Sequence, residues 1–171
     1  MLQSVPLEKC SRLLNHGPTV LVSAQHGERS NVMAAAWACV LDYMPVPKVS
    51  VVLSKESYTR TLIEQSGRFA LQIPVARQAR MVLALGSESG KNNSDKAAKL
   101  GAKLFHPSGC AVPLVEGCAG WLACELLPNA VNQQEYDLFI GKVLSAWADD
   151  TVFRNGHWHF DEAGDDWRTL H

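Results

Sequence analysis

The stretch Asn31 to Leu41 reads NVMAAAWACVL, and it restricts the fold more than any other part of the chain. It is apolar after Asn31, yet it is built on alanines and mostly lacks the branched residues that a buried strand normally draws on. A helix would accept the alanines readily. A third reading is a strip of backbone kept bare so that something flat can lie against it. Periodicity alone does not separate these, because short apolar runs fit a strand or a buried helix equally. Context favours a strand. Thr19 to Gln25 is β-rich, His26-Gly27-Glu28 reads as a turn, and the apolar segment follows at once as the second arm of a hairpin.

The rest of the chain alternates strands with short helices. Leu7, Cys10, Leu13 and Leu14 recur at helical spacing and stop at Gly17-Pro18. Pro45 and Pro47 break the chain before the strand KVSVVLS, Lys48 to Ser54. Ser57 caps a short helix from Tyr58 to Gln65 that Gly67 closes. FALQI, 69–73, is a strand, Val75 to Leu85 a helix ending at Gly86, and Ser87 to Asp95 a polar loop leading into the short helix DKAAKLG. GWLACELL (120–127) and YDLFIGKVLSAW (136–147) are later strands. Strands do not alternate with long helices, which argues against a doubly wound parallel sheet and for a mainly β barrel or sandwich with inserted helices. We read residues 1–171 as one domain.

The net charge of −1 gives no reason to expect nucleic acid or an anionic membrane as a partner. Val32 to Leu41 is only about half a membrane span. The N-terminal MLQSVPLEKCSRLL carries charges where a signal peptide needs apolar residues. The expectation is a cytoplasmic protein. The cysteines, Cys10, Cys39, Cys110, Cys118 and Cys124, form an odd set without a CxxC pair, which suits free thiols. Cys39, two residues past Trp37, reads as a small buried hydrophobe.

Two segments could meet an anion. SKESYT, Ser54 to Thr59, brings three hydroxyls, a phenol and Lys55 to a strand-to-helix junction, where a phosphate would find hydroxyls, N–H groups and a cation. An ordinary capped helix explains it equally. SESGKNNSDK, Ser87 to Lys96, offers serines, Gly90, Lys91 and Lys96, or simply a solvated loop. Neither GxGxxG nor a Walker A sequence is present. Ala34, Ala35 and Ala36 leave the main chain approachable, Asn31 offers donor and acceptor, and Met33 or Trp37 could line an edge. A packing seam is the alternative. HWH, 157–159, could place two metal ligands on one strand face, but with no third ligand nearby we assign no metal. Asp137 and the other late acids read as solvated loop charges, and no pair is nominated for acid–base catalysis.

Taken together, these segments resemble the flavin reductase-like family, whose members adopt an FMN-binding split β-barrel. NVMAAAW is similar to its N-x-[MT]-[TA]-A-x-W signature. KVSVVLSKESYTRTLIEQSGRFALQIP is similar to its strand, Thr-bearing helix, Gly and Phe-bearing strand. GSESGKNNSDKAAKLG resembles its SG-x-x-x-DK loop, with one residue more between Gly90 and Asp95. CAVPLVEGCAGWLACELL and DLFIGKVLSA resemble its later strands. Ala34 stands where relatives often carry Thr.

The resemblance implies roles. Asn31, Met33, Ala34, Ala35, Ala36 and Trp37 would lie along the isoalloxazine ring. Ser54, Lys55 and Thr59 would hold phosphate or ribityl oxygens, and Ser89, Gly90 and Lys96 would close over the same end. It implies a homodimer and an NADH- or NADPH-dependent flavin reductase passing electrons to free flavin, a ferric chelate or a partner oxygenase. The alternative is an FMN-holding electron carrier of the flavoredoxin type. A barrel binding another planar ligand such as haem is a third reading.

Overall fold

The computed structural model describes residues 17–170, so the helix expected over Leu7 to Leu14 lies outside the described residues. The hairpin forms as expected: β1 (Val20–His26) and β2 (Arg29–Ala35) pair antiparallel around a turn in which Gly27 takes φ 58°. The apolar stretch is not one strand. It breaks after Ala35, bends through Ala36 and Trp37, and resumes as β3 (Ala38–Asp42), which pairs with β4 (Lys48–Val52). Helix α1 (Tyr58–Ser66) starts at Ser57, whose hydroxyl accepts from the Arg60 N–H, and stops at Gly67 with φ 66°. Strand β5 (Arg68–Ile73) follows.

The helix expected from Val75 begins instead as a 3₁₀ turn at Ala76–Gln78, where the Gln78 side chain accepts from the Val75 N–H, and continues as α2 (Ala79–Ser87). A single short turn, α3 (Lys96–Lys99), follows the polar loop. A small ladder of β6 (Leu104–Phe105) and β7 (Leu114–Val115) precedes β8 (Gly120–Leu127). Helix α4 (Ala130–Glu135) leads into the long strand β9 (Leu138–Ala148). The chain ends in a ladder of β10 (Phe153–Arg154) with β11 (His157–Trp158), the turn α5 (Phe160–Ala163) and a 3₁₀ turn.

Seven strands form one antiparallel sheet in the order β2-β1-β5-β8-β9-β4-β3. Its edge strands, β2 and β3, are consecutive in the chain, so the sheet curls until its edges approach. This is the split barrel that the sequence led us to expect. Period-two alternation then divides the side chains. Val20, Val22, Phe69, Leu71, Val51 and Phe139 fill the barrel interior, with Leu62 and Ile63 of α1 packed against them. Leu21, Ala70 and Val32 face outward into a second core under α2 and the 102–118 segment.

Gly141 of β9 shows how tight the interior is. A Cβ there would enter the Phe69 ring and lie 3.0 Å from the Cys124 Cβ. Overpacking of this kind costs about 1–3 kcal/mol. Gly141→Ala should lower stability by that amount in urea unfolding, whereas alanine at Gly17, whose Cβ direction is open, should change it little.

Candidate functional site

Two concavities meet beside β2. The first, about 280 Å³, is the more polar of the two and is walled by Asn31, Met33, the residues leading into α1 (Ser54, Glu56, Ser57, Tyr58), the end of α2, and Ser89, Gly90 and Lys96. The second, about 370 Å³, is mostly apolar and follows Met33, Ala34, Ala35, Ala36 and Trp37, faced by Val52, Ser54 and Asp137. Met33 and Ser54 line both, so the two are continuous. A third hollow, about 260 Å³, meets the first at Tyr58 and Gly90 and carries Arg29 and Lys91.

The alanine strip is not a uniform ledge. Met33 and Ala35 point to the barrel interior, while Ala34 points outward, where a Cβ on Gly86 of α2 would lie 3.2 Å from its own. Asn31 is buried, and its amide donates to the Thr59 hydroxyl at 2.8 Å. Thr59 is fully buried behind it and lines neither concavity. Gly90 covers the other side of the same amide, since a Cβ at Gly90 would overlap the Asn31 Oδ1. Here the absence of a side chain is a steric requirement. The Ser57 hydroxyl donates to the Met33 sulfur at 2.9 Å and accepts from the Arg60 N–H at 3.4 Å, so one hydroxyl fixes both the strip and the start of α1. That helix start aims N–H groups and the positive end of its dipole at the polar cavity.

The match to the flavin reductase-like domain covers residues 12–165. The chain belongs to the flavin reductase-like family. An FMN-binding domain of a flavin reductase-like enzyme from Shewanella baltica superposes with a TM-score of 0.87 at 51% identity, covering 98% of this chain and 87% of its own. The flavoredoxin of Desulfovibrio vulgaris superposes with a TM-score of 0.75 at 28% identity over 86% of this chain and 78% of its own. The uncharacterized protein YddH of Escherichia coli is 42% identical over 100% of this chain and 91% of its own length.

Within this flavin reductase-like chain, the cations divide in a way that local sequence does not reveal. Lys55 is exposed and lines neither concavity. Lys96 lines the polar cavity but is 2% exposed, and its ammonium donates to the carbonyls of Val32 and Leu85 at 3.0 and 2.7 Å. Burial pushes its pKa below the ordinary value, with Glu88 pulling the other way. Arg60 is buried too and donates to Leu53 O, Gln133 O, Glu64 and Asp137. Burial disfavours its charge, but the Asp137 and Glu64 hydrogen bonds outweigh this and raise its pKa.

Asp137, read from the sequence as a solvated loop charge, is paired to Arg60 and forms part of the apolar cleft. Tyr58, Ser87 and Glu88, which fall in the two polar segments singled out in the sequence, also line the site, as does Val52, which nothing in the local sequence marks. His157 is exposed, His159 contacts Glu162, and no group of three metal-ligating side chains exists among the described residues.

Cys39 is exposed rather than buried, because β3 is an edge strand. Cys118 and Cys124 are buried, and burial pushes both thiols up to about 12. In native protein at pH 8, peptide mapping after alkylation should find Cys39 modified well before Cys118 and Cys124, which should react only on unfolding.

Lys96→Met should leave two buried carbonyls without a donor and destabilise the fold by about 1–3 kcal/mol, read by thermal unfolding. Lys55→Met should be neutral in the same assay.

Proposed function

We propose that the joined cleft and cavity bind FMN and that the protein is an NAD(P)H-dependent flavin reductase. Electrons would pass to free flavin, a ferric chelate or a partner oxygenase. The observation that carries this reading is the continuity of an apolar slot along Ala34–Trp37 with a hydroxyl-lined cavity at the start of α1. The sizes suit a small-molecule site, and the division suits a flat ring with an anionic tail. Family membership and the FMN-binding Shewanella baltica relative support the same reading.

When bound, FMN supplies reversible two-electron redox chemistry that side chains lack. The chain's own work is binding and orientation. Asn31, Met33 and the Ala34–Trp37 backbone would flank the ring, with Asn31 fixed from behind by Thr59 and from above by Gly90. Ser54, Ser57 and Ser89 offer hydroxyls to the tail. Lys96 would hold the cavity wall, its charge already engaged by two carbonyls. Arg29 and Lys91, which share the adjoining hollow with Glu28, are cations that could meet a phosphate. No dinucleotide motif exists in the sequence, so the nicotinamide would share the open face of the cleft.

A homodimer belongs to the same reading. Among the described residues, strand β3 leaves one backbone edge unpaired, and Trp37, Val40, Leu41, Tyr43 and Met44 around it are all more than half exposed. Such a patch on an open edge calls for a cover.

Titration with FMN should give flavin bands in the protein's visible spectrum, and NADH or NADPH without oxygen should bleach them. Bands that persist would favour the electron carrier, and absence of binding would sink the reading. Ala36→Leu should abolish FMN binding while far-UV circular dichroism stays native. Arg29→Ala with Lys91→Ala should weaken FMN about tenfold or more and leave riboflavin, which lacks the phosphate, nearly unchanged.

A further inference from the structure

Asp137 is the one charged side chain among the described residues lining the apolar cleft. Three features hold it there. Its backbone sits at φ 54°, a left-handed conformation that a non-glycine residue adopts only at some cost. Its carbonyl accepts from the Leu53 N–H at 2.9 Å, which ties it to the end of β4. Its Oδ1 accepts from the guanidinium of Arg60, itself buried and anchored on the carbonyls of Leu53 and Gln133. The second carboxylate oxygen, Oδ2, takes no hydrogen bond from any described residue, and the side chain is 31% exposed. One oxygen is held by Arg60, and the other is unengaged on a residue that lines the cleft.

An ionised carboxylate can only accept hydrogen bonds. In a slot otherwise walled by Met33, alanine backbone, Trp37 and Val52, it therefore selects a ligand edge that carries a donor. The oxidised flavin ring offers one N–H, the imide at N3. We propose that Asp137 is the cofactor-orienting residue of the cleft, its free oxygen taking the ring imide N–H and so fixing which edge of the ring enters on the β4–β9 side.

This rests on FMN occupying the cleft. Two consequences follow from the charge. A flavin without the imide proton loses its partner. A carboxylate beside the ring would also disfavour the electron-rich reduced form, because its negative charge opposes added electron density.

The test compares FMN with its N3-methyl derivative, by fluorescence quenching, on wild type, Asp137→Gly and Asp137→Asn. Glycine accepts the left-handed backbone and removes the acceptor, and asparagine keeps an acceptor oxygen without the charge. Wild type should prefer FMN about tenfold, a preference that Asp137→Gly loses. In Asp137→Asn the affinity for reduced relative to oxidised FMN should rise about tenfold, a shift of about +30 mV for a two-electron couple. Equal binding of the two flavins by wild type, or the same preference in wild type and Asp137→Gly, would overturn the proposal. If Asp137→Gly fails to fold, an unchanged potential in Asp137→Asn would do the same. Wild type that binds neither flavin would instead remove the FMN reading on which the proposal stands.

Discussion

Ala36 and Trp37 are the whole connection between the two edges of a seven-stranded sheet. From Ala35 to Ala38 there are three Cα steps of about 3.8 Å, so the link spans about 11 Å at most. Laid flat, the same sheet would hold its edges roughly 29 Å apart, at about 4.8 Å per strand. The link therefore forces the sheet to curl, and the seam that it crosses cannot close into a ladder. Trp37 still accepts from the Val52 N–H at 3.0 Å, which joins the link to β4. Small side chains at this crossing serve two ends at once. They let the seam narrow, and they leave its backbone open along the cleft.

The buried cations follow from the same architecture. An edge strand has carbonyls that face away from its ladder, and a helix leaves its last carbonyls without partners. Lys96 answers one of each, Val32 on edge strand β2 and Leu85 in the last turn of α2. Arg60 likewise joins two carbonyls, that of Leu53 just past β4 and that of Gln133 in α4, and its guanidinium lies 5.2 Å from the centre of the Phe139 ring. Each is buried among acceptors already present, so neither is free to serve as a solvated anion ligand. On the proposed reading, this moves the recognition of a phosphate to hydroxyls, helix N–H groups and the more exposed Arg29 and Lys91.

What the sequence made legible was local. The turn at Gly27, the cap at Ser57 and the stop at Gly67 are written in residues that act within a few positions, and the structure has all three. The split barrel followed from strand content and from the family signature. What stayed hidden depends on distant partners. The break after Ala35 is set by where β4 lies, not by anything in AAAWA. The polar loop looked solvated, yet Gly90 is buried because it packs on Asn31, far away in the chain. Asp137 looked like a loop charge because its partner Arg60 is 77 residues away. Among the lysines, Lys55 and Lys96 looked alike, and only the tertiary fold separates an exposed side chain from a buried clamp.

Trp37 belongs to two surfaces, and this links them. It lines the cleft, and it also begins the exposed apolar run that continues through Val40, Leu41, Tyr43 and Met44. A second copy of the chain laid on that run would desolvate the β3 edge and, through Trp37, one wall of the cleft. A ligand seated in the cleft would in turn hold Trp37 in place for the partner. On the homodimer reading, occupancy of the cleft and association of subunits thus stabilise each other by mass action, and the affinity for a flat ring depends on protein concentration near the dimer dissociation constant. The seam that the two-residue link leaves open in one chain is then completed by the other.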